Sequence, residues 1–158
     1  MAILAERDHS IGTLAASCIA EIPRETIIDL TARRPNLARA FWWATLVDES
    51  ILREWLASMG QRVADKRVAH LFCELLVRLQ AVGCATENGY DLPMTQIDLA
   101  DLFGFTPVHA NRMMQELRGQ NLIILKRGHL DIPDVPRLKV FCGFRPNYLH
   151  LNPRRPDA

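Results

Sequence analysis

One segment, residues 95–121, contains two helix starts in close succession, and this pattern constrains the fold more than any other feature of the chain. Thr95 is followed three residues later by Asp98, and at a helix start each of two such side chains can accept a hydrogen bond from the other residue's backbone N–H. Thr106 is followed by Pro107, which suits the first position of a helix because the N–H that proline lacks would be unpaired there. The pattern therefore predicts two consecutive capped helices.

A short connection joins these two helices. Gly104 follows the first helix, Gln96–Phe103, and glycine readily adopts the positive φ angle that a tight helix-to-helix turn requires. Phe105 can fill the corner between the helices, and Ala100 is small at the place where they come closest. Two helices joined in this way form a helix-turn-helix.

The second helix, beginning at Pro107, has an apolar face and a polar face. At helical spacing the residues that point into the core are Ala110, Met113, Met114 and Leu117. The opposite face carries groups suited to base edges in the major groove, because arginine pairs with guanine, amides pair with adenine, and a methyl group contacts the thymine methyl. We therefore predict base contacts from Val108, Asn111, Arg112 and Gln115.

Two short apolar stretches follow, joined at Lys126, Arg127, Gly128 and His129. Glycine in the connection predicts a β-hairpin, and a basic hairpin after a recognition helix is typical of a wing that contacts phosphate. Four Lys or Arg residues lie between positions 106 and 129 against Glu116 alone, a surplus that attracts a polyanion. The predicted phosphate contacts are Thr95, Gln96, Thr106, His109, Arg118, Lys126, Arg127 and His129.

Residues 35–60 contain no glycine or proline in their interior and predict one long helix, which at 1.5 Å per residue would span about 40 Å. A seam with spacings of 4, 3, 4, 3 and 4 runs along it, formed by Phe41, Thr45, Asp48, Leu52, Trp55 and Met59. Such a seam is typical of a coiled-coil dimer, and the alternative is a core helix packed on its own domain. The length of the helix favours the dimer, in which Asp48 would set the register or lie just off the contact.

The remaining segments are assigned more coarsely. Residues 10–22 end at Pro23, which predicts a strand followed by a short helix over 23–32; residues 62–82 have helical periodicity, and 85–91 are expected to form a polar loop. The predicted fold class is mainly α with a small β component, a long dimerisation helix followed by a winged helix-turn-helix domain. The predicted divisions are 1–34, the long helix 35–61, the winged helix-turn-helix domain 62–152, and a flexible tail 153–158.

The order of these parts resembles the cyclic-AMP receptor/fumarate-nitrate regulator (Crp/Fnr) family of bacterial transcription factors. The residues that carry the resemblance are LPMTQIDLADLFGFTPVHANRMMQELRGQNLIILKRGHLDI, positions 92–132, and FWWATLVDESILREWLASMGQRVADKRVAHLFCELL, positions 41–76. The resemblance implies that the long helix is the dimer interface and that Arg112 matches the family's base-contacting arginine. Pro107, Val108 and Asn111 align with its other base-contacting positions. Many members have a glutamate where this chain has Val108, which leaves the operator sequence open.

The resemblance also concerns the sensor. Family members carry an N-terminal β-roll, and residues 10–22 resemble its last strand, so residues 1–34 are predicted to be a remnant of that effector domain. Neither the nucleotide-binding cassette nor the iron–sulfur cysteine cluster is present, so we expect no cofactor. The expected partner is double-stranded DNA, bound at a two-fold symmetric operator by a homodimer, with RNA polymerase as a further candidate.

The expected compartment is the cytoplasm. No run of eighteen apolar residues predicts a transmembrane helix, and no basic leader followed by a long apolar stretch predicts a signal peptide. In a reducing cytosol the four cysteines, Cys18, Cys73, Cys84 and Cys142, are expected to be small buried or half-buried hydrophobic residues.

Three other classes of function are alternatives to DNA binding. An enzyme is not favoured, because the sequence contains no GxSxG, GxxxxGK[ST] or HExxH motif. His70 and Cys73 share a helix face and Cys84 follows, but three mixed ligands without a fourth are a weak sign of a metal site, and we expect none. A subunit without a sensor that heterodimerises with a full-length paralogue and modulates its DNA binding stays open.

Overall fold

The described part of the chain, residues 10–151 of the computed structural model, is mainly α-helical with one three-stranded sheet, as predicted. Residues 1–9 and 152–158, which include the predicted tail 153–158, lie outside the described residues. The elements in chain order are α1 (Arg24–Arg33), α2 (Pro35–Gln61), α3 (Ala64–Ala81), β1 (Gly89–Asp91), α4 (Gln96–Phe103), α5 (Pro107–Gly119), β2 (Ile124–Lys126), β3 (His129–Asp131), α6 (Val135–Cys142) and a 3-10 helix (Pro146–Leu149).

The chain divides into two compact units, the first ending at Glu49 and the second beginning at Ser50. In the first unit α1 forms within one residue of its predicted bounds and buries none of its residues. The strand predicted over residues 10–22 is wrong, since these residues are irregular and exposed. A strand is stable only when its N–H and C=O groups pair with a neighbouring strand, and the described residues of this unit contain no such partner.

Helix α2 is continuous over 27 residues and confirms the predicted long helix. Among the described residues, no helix is long and apolar enough to cross a membrane. Residues 50–61 of α2 belong to the second unit, where Ile51 and Trp55 pack against the core and Ser58 is buried. The chain then changes direction at Val63, whose extended backbone delays the start of α3 to Ala64 rather than residue 62.

Helix α3 forms the centre of the second unit. It buries eight consecutive or near-consecutive side chains, including Phe72, Cys73 and Leu76, and packs against α5, α6 and β1. Helices are buried on all sides in this way only when several elements surround them. The core around α3 therefore fixes where α4 and α5 stand.

The sheet has the order β1-β3-β2, with both pairs antiparallel. The predicted hairpin is confirmed as β2–β3, and its turn residues Arg127 and Gly128 both have positive φ, 51° and 79°, as a two-residue hairpin turn requires. The prediction of a polar loop over 85–91 is wrong for its last three residues, which form β1. Tyr90 causes this difference, because its ring is buried and its hydroxyl donates to the Phe72 carbonyl at 3.1 Å.

The cysteines differ from the expectation in two of four cases. Cys73 and Cys142 are buried as predicted, whereas Cys18 and Cys84 are exposed. Cys84 follows the end of α3, where its thiol lies 3.8 Å from the Val82 carbonyl. Residues just beyond a helix end are commonly solvated, and this explains its exposure.

Candidate nucleic-acid interface

The first helix of the predicted helix-turn-helix starts with a complete capping box. The Thr95 hydroxyl accepts a hydrogen bond from the Asp98 N–H at 3.2 Å, and the Thr95 N–H donates to the Asp98 carboxylate at 2.7 Å. The hydrogen bond from the Thr95 N–H, followed by one that the Thr95 hydroxyl donates to the same carboxylate at 2.8 Å, holds the pKa of Asp98 below its ordinary value. The start of α4 is thus fixed by local contacts, as predicted.

The turn between α4 and α5 is tight and filled. Gly104 has φ 65° and ψ 33°, the left-handed conformation predicted for it. The Phe105 N–H donates to the Ala100 carbonyl at 2.8 Å, which closes the turn. The Phe105 ring stacks on Phe103 at 5.4 Å and meets the edge of His109 at 4.7 Å, so Phe105 fills the corner between the helices.

Helix α5 also has its predicted start and its predicted buried face. Thr106 is the N-cap, with its hydroxyl accepting from the His109 N–H at 3.2 Å, and Pro107 is the first helical residue. The buried residues of α5 are Ala110, Met113, Met114 and Leu117. Because this face is locked against the core, the opposite face has a fixed direction.

The four predicted base-contacting residues lie together on that opposite face, and all are exposed. Val108 is 80% exposed, high for an apolar side chain in the first turn of a helix. The Asn111 amide oxygen accepts from the Gln96 side chain at 3.4 Å, which joins the first turn of α4 to the second turn of α5. The face offers a methyl-bearing group, two amides and a guanidinium.

Arg112 already has partners in the free protein. Its Nη2 lies 2.9 Å from His109 Nδ1, and its Nε lies 3.9 Å from the Glu116 carboxylate. Since a guanidinium only donates, His109 Nδ1 is the acceptor in this contact. These contacts are exposed and weak, and base contact by Arg112, which would replace them, stays a prediction.

The predicted phosphate contacts fall into two groups by exposure. Thr95, Gln96, Thr106, Lys126 and Arg127 are exposed, and His109, Arg118 and His129 are half-buried. The exposed members come from the starts of α4 and α5 and from the β2–β3 turn. Contact with phosphate by any of these residues stays a prediction.

His129 has an environment that the sequence reading missed. Its Nδ1 lies 2.6 Å from Asp91 and its Nε2 lies 3.6 Å from Asp131. The hydrogen bond to Asp91 raises the pKa of His129 above its ordinary value. The imidazole is thus held between two carboxylates. Their negative charges reduce the attraction that a positive imidazole would have for phosphate. Asp91 faces His129 only because β1 pairs with β3.

The predicted dimer seam is exposed at every position except one. Phe41, Thr45, Asp48, Leu52 and Met59 are exposed. Trp55 instead packs on its own domain, with its ring stacked on Phe103 at 5.8 Å and its Nε1 donating to Glu74 at 3.2 Å. Trp55 is thus half-buried in its own domain, and its part in a dimer seam stays a prediction. Its neighbour Leu56, which the seam omitted, is 63% exposed.

A buried carboxylate, that of Glu74, joins three elements: α2, α3 and the 3-10 helix. Glu74 is 1% exposed and accepts from Trp55 on α2, from the Tyr148 hydroxyl at 2.8 Å, and from Arg78 at 3.1 Å. A buried charge is tolerated when hydrogen bonds satisfy it in this way. Burial, followed by the hydrogen bond to Glu74, raises the pKa of Tyr148, so its proton stays in place.

The three residues weighed as a metal site do not come together. His70 lies beside Glu54 at 3.2 Å, Cys73 lies against Cys142, and Cys84 is exposed. Among the described residues no group of three or more His, Cys, Asp or Glu side chains could hold a metal ion. Burial, followed by the charge of Arg62, lowers the pKa of His70.

The segment that contains α4 and α5 is also similar to known proteins. Residues 66–141, which run from α3 to α6, match the family model described as a Crp-like helix-turn-helix domain. A probable transcriptional activator of Rhizobium leguminosarum bv. viciae is 29% identical over 136 residues, 84% of this chain and 56% of that protein. The transcriptional activator protein FnrL of Cereibacter sphaeroides is 27% identical over 124 residues, 76% of this chain and 50% of that protein.

Solved structures agree on the fold. FixK2 from Bradyrhizobium japonicum superposes with a TM-score of 0.66 at 21% identity, covering 75% of this chain and 58% of that chain. CprK in complex with OCPA superposes with a TM-score of 0.56 at 17% identity, covering 74% of this chain and 53% of that chain. The chain spans about half the length of the curated relatives it matches. Residues 66–141 thus match a Crp-like helix-turn-helix domain, and the chain is similar to transcription regulators of the Crp/Fnr family.

Proposed function

We propose that this chain binds double-stranded DNA sequence-specifically and regulates transcription, with α5 as the helix that enters the major groove. The observation that carries the proposal is the exposed face of α5, whose hydrogen-bonding groups and methyl groups project from a capped helix with a locked opposite face. A helix presented in this way fits the major groove and reads base edges with its first turns. The role is not enzymatic, and we expect it in the cytoplasm, where bacterial DNA lies.

In this proposal, the reading of bases begins with Arg112. On approach to DNA its guanidinium leaves His109 and Glu116 and forms two parallel hydrogen bonds with guanine N7 and O6. Asn111 and Gln115 supply amides for adenine or for water-mediated contacts, and Val108 supplies an apolar contact for a thymine methyl. Specificity therefore comes from one charged and three uncharged side chains.

Phosphate contacts orient the domain on the duplex. Lys126 and Arg127 stand exposed on the β2–β3 turn, and Thr106 stands exposed at the start of α5. Contacts of lysine and arginine with phosphate release counterions, so each cation that binds steepens the salt dependence by about one unit. Replacing Lys126 or Arg127 by alanine should weaken binding evenly across sequences and flatten that dependence.

The chain acts as a homodimer in this proposal, through an exposed row on α2. Within the second unit Leu52, Leu56 and Met59 are all exposed on α2, and their spacings of 4 and 3 are those of a coiled-coil seam. A symmetric pair would present two α5 helices to half-sites one turn of DNA apart, about 34 Å. The operator would then be two-fold symmetric.

The dimer is tested by sedimentation velocity at micromolar concentration. We expect a dimer for the wild type and a monomer for Leu56→Asp, because a carboxylate in an apolar seam is left unpaired. Val82→Asp is the matched control, since Val82 is also exposed but follows the far end of α3, the helix that begins after α2 ends. A monomeric wild type, or a Leu56→Asp variant as dimeric as the control, would contradict this seam.

The DNA proposal as a whole is tested by selecting bound sequences from a random duplex pool with the full chain. We expect enrichment of a two-fold symmetric site with a guanine in each half. An enriched site without symmetry would keep DNA binding and remove the homodimer. No enrichment by this chain alone, with enrichment when a full-length paralogue is added, would favour the heterodimer. RNA polymerase contact stays a prediction, tested by whether the polymerase shifts the mobility of the DNA complex.

A further inference from the structure

The core between α3 and α6 contains two cysteine thiols in contact. Cys73 lies in the middle of α3, Cys142 is the last residue of α6, and their Sγ atoms are 3.8 Å apart. The two residues are 0% and 2% exposed. Two cysteines that are far apart in sequence and point at each other need only a small approach, from 3.8 Å to roughly 2.05 Å, to form a disulfide.

We propose that Cys73 and Cys142 are a redox-modification site, at which a hydroperoxide such as hydrogen peroxide converts the two thiols into a reversible disulfide between α3 and α6. This inference does not depend on the DNA proposal. It concerns the α3–α6 core, and it holds or fails whatever α5 binds.

The surroundings make Cys142 the thiol that reacts first. Cys142 borders an open groove of about 460 Å³, together with Glu54, Arg62, Lys66, Phe141 and Gly143, and a peroxide is scarcely larger than water. The hydrogen bond from Cys73, helped by a backbone hydrogen bond at Phe144 and the charge of Arg62, lowers the pKa of Cys142 below its ordinary value. A lowered pKa beside a positive charge is typical of reactive cysteines.

Cys73 has the complementary character. Its hydrogen bond to Cys142 and its burial raise the pKa of Cys73, so it keeps its proton and does not react directly. In the resting state the Cys142 thiol donates to the Leu138 carbonyl at 3.1 Å, and this proton leaves when the thiolate forms. The pair thus consists of an attacking thiol at the groove and a resolving thiol behind it.

The chemistry balances with one peroxide. The Cys142 thiolate attacks one peroxide oxygen, the O–O bond breaks, and the departing hydroxide takes up the thiol proton as water, leaving a sulfenic acid. The Cys73 sulfur then attacks the Cys142 sulfur, the S–O bond breaks, and the hydroxide leaves with the Cys73 proton as a second water. Two thiols are oxidised, one peroxide is reduced, and a dithiol reductant such as dithiothreitol restores the starting state.

The test uses the full chain with Cys18→Ser and Cys84→Ser, which removes the two exposed thiols and leaves the core unchanged. After a modest molar excess of hydrogen peroxide we expect an intact mass lower by two hydrogens, no thiol left to alkylate after denaturation, and full recovery with dithiothreitol. Tryptic digestion should link the peptide 68–78 to the peptide that begins at Val140. Two alkylatable thiols, after a treatment that fully oxidises Cys18 and Cys84 in the wild type, would overturn the proposal.

Two further outcomes separate the site from unspecific oxidation. In the same background Cys73→Ala should retain one oxygen on Cys142, trapped by dimedone, which the parent does not retain because Cys73 resolves it. Oxygen adducts on Cys142 of the parent without a linked peptide, or a disulfide between two chains on a non-reducing gel, would count against the pair. The parent decides the question even if Cys73→Ala fails to fold, since it alters only exposed positions.

Discussion

Replacing Arg112 by lysine separates base recognition from charge. In the free protein Arg112 is exposed, its Nη2 lies 2.9 Å from His109, and its Nε lies 3.9 Å from Glu116. Exposed contacts of this kind contribute at most about 1 kcal/mol to stability. We therefore expect Arg112→Lys to change the free energy of unfolding by less than about 1 kcal/mol, so any effect on DNA binding will not come from misfolding.

On DNA the same substitution removes a bidentate contact and keeps a positive charge. A lysine ammonium makes a point contact where the guanidinium fork pairs with guanine N7 and O6 together. A good bidentate pair contributes about 1–3 kcal/mol of discrimination, which corresponds to about 5- to 150-fold in affinity ratio. We expect that loss at one base pair of each half-site, with an unchanged salt dependence because the charge is retained.

The assay is fluorescence anisotropy at fixed salt, with the selected operator and an operator in which that guanine pair is replaced. Arg127→Lys is the matched control, because Arg127 lies on the hairpin turn and its predicted contact is to phosphate. The control should bind both duplexes with the wild-type ratio. If Arg112→Lys also keeps the wild-type ratio, the reading face has been assigned to the wrong side of α5.

Three further predictions concern stability and titration. Tyr148→Phe should lower the free energy of unfolding by about 1.5–3 kcal/mol in urea denaturation, because it removes a hydrogen bond to the buried Glu74 carboxylate; an unchanged midpoint would contradict this. Gly104→Ala should cost about 1 kcal/mol by the same measurement, from backbone strain alone, since a Cβ there meets no atom within 4 Å. Asp91→Asn should lower the pKa of His129 toward 6.5 in an NMR titration, because Asp91 raises it. That ion pair stabilises the fold below about pH 6.5 and is lost as pH rises through the folded-state pKa, so a pKa unmoved by the substitution would exclude the pair.

Local signals made α4 and α5 predictable. The Thr95–Asp98 capping box, the left-handed Gly104 and the N-cap at Thr106 are interactions between residues at most a few positions apart. Such interactions depend little on the rest of the chain, so they can be predicted from the local sequence. The buried face of α5 followed from the same helix, because its period needs no distant partner to be recognised.

The features that could not be predicted depend on contacts between residues that are distant in sequence. The sequence pattern places Trp55 on the predicted seam of α2, although spacings of 3 and 4 accept either Trp55 or Leu56. Phe103 and Glu74 turn Trp55 inward, and neither is near it in sequence. Strand β1 was missed for the same kind of reason: three residues with one buried aromatic are recognised only through their partner β3.

A row of ring contacts links the inward face of α2 to the reading face of α5. Trp55 stacks on Phe103 at 5.8 Å, Phe103 on Phe105 at 5.4 Å, and Phe105 meets His109 at 4.7 Å. His109 in turn accepts from Arg112 at 2.9 Å. Closely packed rings resist displacement, so the starting position of the arginine depends on the corner that Phe105 fills as well as on its own helix. A substitution that shortens the Phe105 side chain should therefore remove support from Arg112 and from the core together.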